Sequence, residues 1–180
     1  MSKRKPVPSE VYDTEYFLSA CGGYEEYVRS GGSVLPKRLC TALSLAGDVE
    51  GLRVLDLGCG RGEAVRFCVD RGAKAVGVDY SNSALALAQK TLHSKEALLL
   101  CAEVQQLPFL EGSFDLILAF DIVEHLHQSE LERMFEEAYR LLARGGRLVV
   151  HTMPNLWYYR FGYPLFRFVQ RLRGRQLPQD

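Results

Sequence analysis

The sequence predicts an α/β fold: a doubly wound, mainly parallel sheet with helices on both faces. Three observations carry this. Short, almost wholly apolar runs alternate with segments whose apolar residues recur at helical spacing. Three glycines at alternate positions, Gly58, Gly60 and Gly62, stand between the first such run and the helix after it. The second run ends on an acid, Asp79, 21 residues after Gly58.

The elements follow in order. Residues 1–10, basic and then proline-containing, read as disordered. An aromatic and acidic segment, 11–29, is broken by Gly22-Gly23 into two short helical pieces. Ser33 is placed to cap a helix reaching Ala46, with Leu35, Leu39, Leu43 and Ala46 on one face and Pro36 in its first turn. The core then alternates: strand 52–57, helix 63–71, strand 74–79, helix 82–93 capped by Ser81, and strand 97–102. A loop with Leu107-Pro108-Phe109 and Gly112 leads to strand 114–120. Ser129 and Glu132 have capping-box spacing and predict a helix running to Leu142. Gly145-Gly146 then reads as a turn into a fifth strand, 147–152. Near-continuous apolar strands fit a parallel sheet buried on both faces.

Composition sets the bounds. The length fits one domain, and 47% apolar with 24% charged residues is ordinary for a globular protein. Lysine plus arginine balances aspartate plus glutamate, so overall charge points to no polyanionic partner. The balance is uneven along the chain. From Leu156 onward there are five arginines and one acid, a net of +4 that leaves −4 for the rest. Five scattered cysteines, without Cys-x-x-Cys spacing, suggest neither a disulfide framework nor a metal site and fit a reducing cytoplasm. No signal-peptide h-region and no run of about 20 apolar residues is present.

The glycine turn carries the chemistry. A strand, a tight turn and a helix N-terminus together present backbone N–H groups to a ligand. A dinucleotide fold wants Gly-x-Gly-x-x-Gly, whereas here the third glycine comes one residue early and Glu63 takes the dinucleotide glycine's place. Asp56 and Glu63 flank the turn; two carboxylates repel a pyrophosphate but suit a ligand bearing positive charge. An acid at the tip of the second strand, Asp79, is placed to accept both hydroxyls of a ribose.

Asp56 followed by Gly58-Cys59-Gly60-Arg61-Gly62 resembles motif I of the class I S-adenosylmethionine-dependent methyltransferases. Three further stretches resemble that family in its order: 103–109 after the third strand, 114–126 with its Glu124-His125 pair, and 142–150. The resemblance covers roughly 52–155 and implies a Rossmann-like sheet of strand order 3-2-1-4-5 with S-adenosyl-L-methionine as cofactor. It places Asp56, Gly58, Cys59 and Gly60 around the methionine end, and Asp79 with Tyr80 at the ribose. Glu103 and Val104 fall at the adenine, where the family has Asp and then Ala, and Ala119 and Phe120 beside the sulfonium. His125 is the candidate general base at the mouth, with a loop-bracing role as its alternative. Asp121 is a candidate to close the pocket, and His151, Thr152 and Asn155 are candidates for substrate contact. Tyr12, Tyr16 and Tyr24 are candidates for a lid. His93 and His127 read as solvent-facing.

The resemblance implies a closing antiparallel hairpin, but the 25 residues after Asn155 read as one helix, expected at 165–173, and no hairpin is expected. The basic, aromatic tail admits three readings: a lid over the acceptor, a surface for a membrane or a lipid-linked substrate, or an interface lost with residues beyond Asp180, and a homodimer covering the sheet edge is a further expectation. The organisation expected is an N-terminal extension (1–33), a cofactor-binding core (34–155) and the tail (156–180). The reading is methyl transfer to a small-molecule or glycan- or lipid-linked acceptor, with nucleic acid ranked lower because the rest of the chain is acidic. Two competing readings stand beside it: a non-catalytic binding module and a nicotinamide-dinucleotide oxidoreductase.

Overall fold

A computed structural model of the protein describes residue 8 and residues 11–93 and 96–152. The expectations for 1–7, 9–10, Asn155, the helix at 165–173 and the whole tail lie outside the described residues. Within them, five strands form one all-parallel sheet of order β3-β2-β1-β4-β5: β1 Arg53–Leu57, β2 Lys74–Asp79, β3 Leu98–Cys101, β4 Phe114–Phe120 and β5 Leu142–His151. The helices are α1 Tyr24–Ser30, α2 Lys37–Ala46, α3 Glu63–Asp70, α4 Asn82–Leu92 and α5 Gln128–Leu141. A single turn of π-helix, Tyr16–Ala20, precedes them, and a 3-10 turn, Val123–His125, follows β4.

Alternation along the strands separates two cores. Val54, Leu116, Leu118 and Phe120 pack with Leu39 and Leu43 of α2, Val65 and Cys68 of α3, and Leu92 of α4. Leu55, Leu57, Ile117 and Ala119 point the other way, against Met134, Ala138 and Leu141 of α5 and Leu107 of the β3–β4 loop. Each wholly buried leucine here contributes roughly 1.5–3 kcal/mol of transfer free energy. β1 lies between β2 and β4, and connections leave it in opposite directions. That reversal opens a crevice beyond the C-terminal ends of β1 and β4.

Most element ends agree with the pattern of residues. Ser81 caps α4 by accepting from the Ala84 N–H at 3.2 Å. Gly62 carries φ 77°, and a Cβ there would stand 2.8 Å from the Ala88 Cβ, so only glycine lets α3 lie so close to α4.

Three expectations need correcting. Ser33 does not cap α2; its hydroxyl donates to the Ser30 carbonyl at 2.7 Å, and α2 starts at Lys37 behind an extended Pro36. The residue before a proline avoids helical geometry, which pushes the start past Leu35. α5 begins at Gln128 with its capping box two residues earlier than predicted, at His127 and Glu130: Glu130 accepts from the His127 N–H at 2.8 Å, and His127 is half-buried at the cap rather than solvent-facing. Finally, Gly145-Gly146 does not precede β5. Phe114 pairs with Leu142 and Leu116 with Arg147, so residues 143–146 bulge against Asp115 within a strand that starts where α5 stops.

Candidate functional site

A cavity of about 200 Å³ sits over the crevice between β1 and β4. Its floor is the glycine turn. Gly58, Gly60 and Gly62 all have positive φ, at 68°, 51° and 77°. At Gly60 the nearest atom to an added Cβ is Phe17 Cε1 at 3.6 Å, so a side chain there would project into the ligand's space. Nine of the ten cofactor candidates line this cavity: Asp56, Gly58, Cys59, Gly60, Asp79, Tyr80, Glu103, Val104 and Phe120. Ala119 does not. β4 turns alternate residues to opposite faces, which sends Phe120 to the cavity side and Ala119, wholly buried, into the α5 core.

The electrostatics come from burial. Asp56 is enclosed, and desolvation, followed by the nearby Asp79 and Glu63 charges, pushes its carboxyl up to about 8. Asp79 is also raised by burial, against N–H groups that favour its charged form. Gly60 N–H donates to its Oδ2 at 2.9 Å and Ser81 N–H to its Oδ1 at 2.9 Å. The Asp79 carboxylate thus ties the tip of β2 to the glycine turn and keeps lone pairs to spare. Burial lifts the Cys59 thiol well above its usual range, so it packs as an inert apolar group.

Glu63 departs from the expectation of a free acid. Its Oε2 pairs with Arg61 Nε at 3.0 Å, with both side chains almost wholly buried, while its Oε1 has no partner among the described residues. Arg61 also donates to the carbonyls of Phe17 at 2.8 Å and Gly22 at 2.9 Å, and its guanidinium lies over the Tyr27 ring. The reading of motif I treated this arginine as a spacer. A cation between two glycines beside an acid was the signal available. It fastens the N-terminal segment across the cavity. Ser81 Oγ fastens the same segment by donating to the Tyr12 carbonyl at 2.6 Å. Tyr12 and Tyr16 line the cavity, as do Phe17 and Cys21, which sequence reasoning passed over; Tyr24 does not.

At the mouth, Tyr12 Oη and His125 Nδ1 are 2.9 Å apart, and both residues line the cavity. Burial raises the Tyr12 phenol, with Asp79 adding, so the hydroxyl stays neutral. A second polar group closes the far side. Asp121, at φ 53°, lines the cavity and pairs with Arg38 and, at 2.7 Å, with His151 Nδ1. Arg38, another lining residue not foreseen, also donates to the Gly22 carbonyl at 2.6 Å. His151 therefore braces Asp121, and Thr152 donates to Glu124 Oε2 at 2.9 Å.

The residues present fit S-adenosylmethionine. A buried acid and a carboxylate oxygen with no cationic partner among the described residues, together with a glycine cradle, suit an organic cation. The same two acids, Asp56 and Glu63, oppose a pyrophosphate.

Comparison with known proteins agrees. A family model described as "Methyltransferase domain" matches residues 55–150. The chain is 36% identical over 118 residues to a demethylmenaquinone methyltransferase of Thermus thermophilus, covering 63% of this chain and 52% of that one. It is 32% identical over 118 residues to the 18S rRNA (guanine-N(7))-methyltransferase bud23 of Schizosaccharomyces pombe, covering 60% and 44%. A solved S-adenosylmethionine dependent methyltransferase from Mesorhizobium loti superposes with a TM-score of 0.56 at 28% identity, covering 62% and 51%. The chain thus spans about half the length of the curated relatives it matches.

Proposed function

We propose that this chain, which belongs to the S-adenosylmethionine-dependent methyltransferase family, holds S-adenosylmethionine in the acid-floored cavity and passes its methyl group to a nucleophilic acceptor. The observation that supports this most is the buried Asp56 beneath the glycine turn, joined through Gly60 to Asp79.

When bound, the cofactor supplies a methyl group on a sulfonium, which needs only in-line approach of a nucleophile. The chain's residues bind, orient and exclude water. Asp56 and the oxygen of Glu63 left without a partner among the described residues would hold the cationic methionine end. Asp79 retains acceptor capacity for the ribose hydroxyls, and Glu103 with the Val104 backbone takes the adenine edge. The segment carrying Tyr12, Tyr16 and Phe17 covers the cavity and keeps water from it. Alignment of this kind can supply roughly 7–11 kcal/mol of barrier reduction. His125 is the general base. For Nε2 to take the acceptor's proton, Nδ1 must carry the ring hydrogen and donate it to the Tyr12 oxygen.

The acceptor is a small molecule, or a glycan- or lipid-linked one. Six acidic side chains line the cavity (Asp56, Glu63, Asp79, Glu103, Asp121, Glu130) against two arginines, a balance that still disfavours a phosphate backbone when Asp56 is protonated. Relatives named for a quinone precursor and for rRNA bear on the acceptor only by analogy. For the tail, contact with a membrane surface or a second copy stays a proposal; among the described residues no helix is long and apolar enough to cross a membrane. Five free cysteines support a reducing, cytoplasmic setting.

Calorimetry with S-adenosylhomocysteine and with a nicotinamide dinucleotide tests the cofactor reading. Binding of the first and not the second is expected; no binding of the first overturns it. Methyl release against pooled small metabolites then separates an enzyme from a binding module. In that assay His125→Ala is expected to lower kcat by roughly 10²–10⁴ while leaving S-adenosylhomocysteine affinity within about threefold.

A further inference from the structure

The loop between β3 and β4, residues 102–113, contains no helix, yet four of its residues, Ala102 to Gln105, line the cavity. Something must hold it still. Two apolar pegs, Val104 and Leu107, enter the α5 core. Beyond them the loop is gripped from behind by α5. Glu137 Oε1 accepts from the Leu107 N–H at 2.7 Å, and Arg140 donates to the Leu107 carbonyl at 3.2 Å and the Phe109 carbonyl at 2.9 Å. The two side chains bond each other twice, Nε to Oε2 at 2.8 Å and Nη2 to Oε1 at 2.6 Å, which locks the fork. The Arg140 carbonyl takes the Gly112 N–H at 3.0 Å. Neither Glu137 nor Arg140 lines the cavity.

We infer that Glu137 and Arg140 are positioning residues for the cofactor's base: gripping Leu107 and Phe109, they fix the Glu103-Val104 edge that discriminates adenine. The inference rests on the cofactor reading above. Leu107 is held on both sides, its N–H by the acid and its carbonyl by the guanidinium, so the two peptides that flank it are each tied to α5. Glu103 lies four residues away and is exposed, with Gln106 N–H bonding back to its carbonyl at 3.4 Å. Its aim therefore depends on where Leu107 is pinned. A lysine at 140 keeps the charge but cannot span two carbonyls with one planar fork.

The test compares S-adenosylhomocysteine with its inosine counterpart by calorimetry. Inosine replaces the donor amino group with a carbonyl and puts a hydrogen on N1, which opposes both an accepting Glu103 and a donating Val104 N–H. The wild type is expected to prefer the adenine form by at least about tenfold. Arg140→Lys is expected to cut the preference below about threefold, by weakening the adenine form and sparing the inosine form. Glu137→Gln keeps an acceptor for Leu107 and is expected to fall in between; it carries the test alone if Arg140→Lys lacks the wild-type circular dichroism spectrum. Equal loss of both ligands, or an unchanged preference, overturns the positioning role and leaves the cofactor reading standing. A wild type that binds neither ligand overturns both.

Discussion

Asp56 shows how one residue can cost stability to serve a ligand. Its carboxyl sits near 8 in the folded chain because burial, helped by Asp79 and Glu63, disfavours the charge. In the unfolded chain it titrates near 4. Between those values the folded state holds the extra proton, so stability falls as pH rises, by up to a few kcal/mol in all. Asp56→Asn is nearly the shape of the protonated acid. The variant is expected to melt like the wild type at about pH 4 and several degrees higher at about pH 8.5, read by thermal unfolding across pH. A cation laid against Asp56 favours the carboxylate, so cofactor binding is expected to expel a proton near neutral pH and to tighten between about pH 6 and 8. Titration calorimetry in two buffers of different ionisation enthalpy reads that proton; Asp56→Asn should abolish its release. The acids Asp56 and Asp79 were legible in the sequence because strand ends and a glycine turn fix their places. Arg38 was not, because its acid partner, Asp121, is 83 residues away, and what Arg61 does beyond its neighbour Glu63 was not, because it binds the carbonyls of Phe17 and Gly22, which no sequence pattern marks.

Among the elements, legibility followed burial. β2 and β4 fall on the residues expected of them, 74–79 and 114–120, because both are apolar runs flanked by strands on either side. β5 was misjudged because two glycines look the same at a turn and in a bulge, and only pairing with β4 tells them apart. The N-terminal segment is the element the sequence revealed least. Aromatic residues predicted a lid, but what fastens it is polar: Arg61 at the glycine turn, Ser81 at β2 and His125 at the mouth. Arg61→Ala is expected to cost about 3–5 kcal/mol, since it strands the buried Glu63 carboxyl. Limited proteolysis should then cut within 11–30 much faster than in the wild type, well before the core unfolds. Cleavage at the wild-type rate would mean the aromatics hold the segment unaided.

For the whole molecule, the reversal of strand order at β1 gathers residues far apart in sequence around one cavity: Tyr12 to Phe17, Asp56 to Glu63, Asp79 and Tyr80, Glu103 and Val104, and Phe120 to His125. Most of these pieces already bond one another without a ligand, Gly60 to Asp79, Ser81 to Tyr12 and Tyr12 to His125. A ligand touching all of them stabilises the whole fold by mass action, about 2.7 kcal/mol at a hundredfold excess over Kd. A rise in Tm of roughly 5–11 °C is expected for S-adenosylhomocysteine under those conditions. The protection should not be uniform. Segments that join the cavity only through such bonds open locally at low cost, whereas β1 and β4 open only when the fold does. Hydrogen exchange is therefore expected to slow most in 11–24 on binding, with less change in 102–109, which α5 already grips. Protection confined to β1 and α3, with the N-terminal segment exchanging as before, would show that the cover is fastened independently of the ligand and takes no part in closing over it.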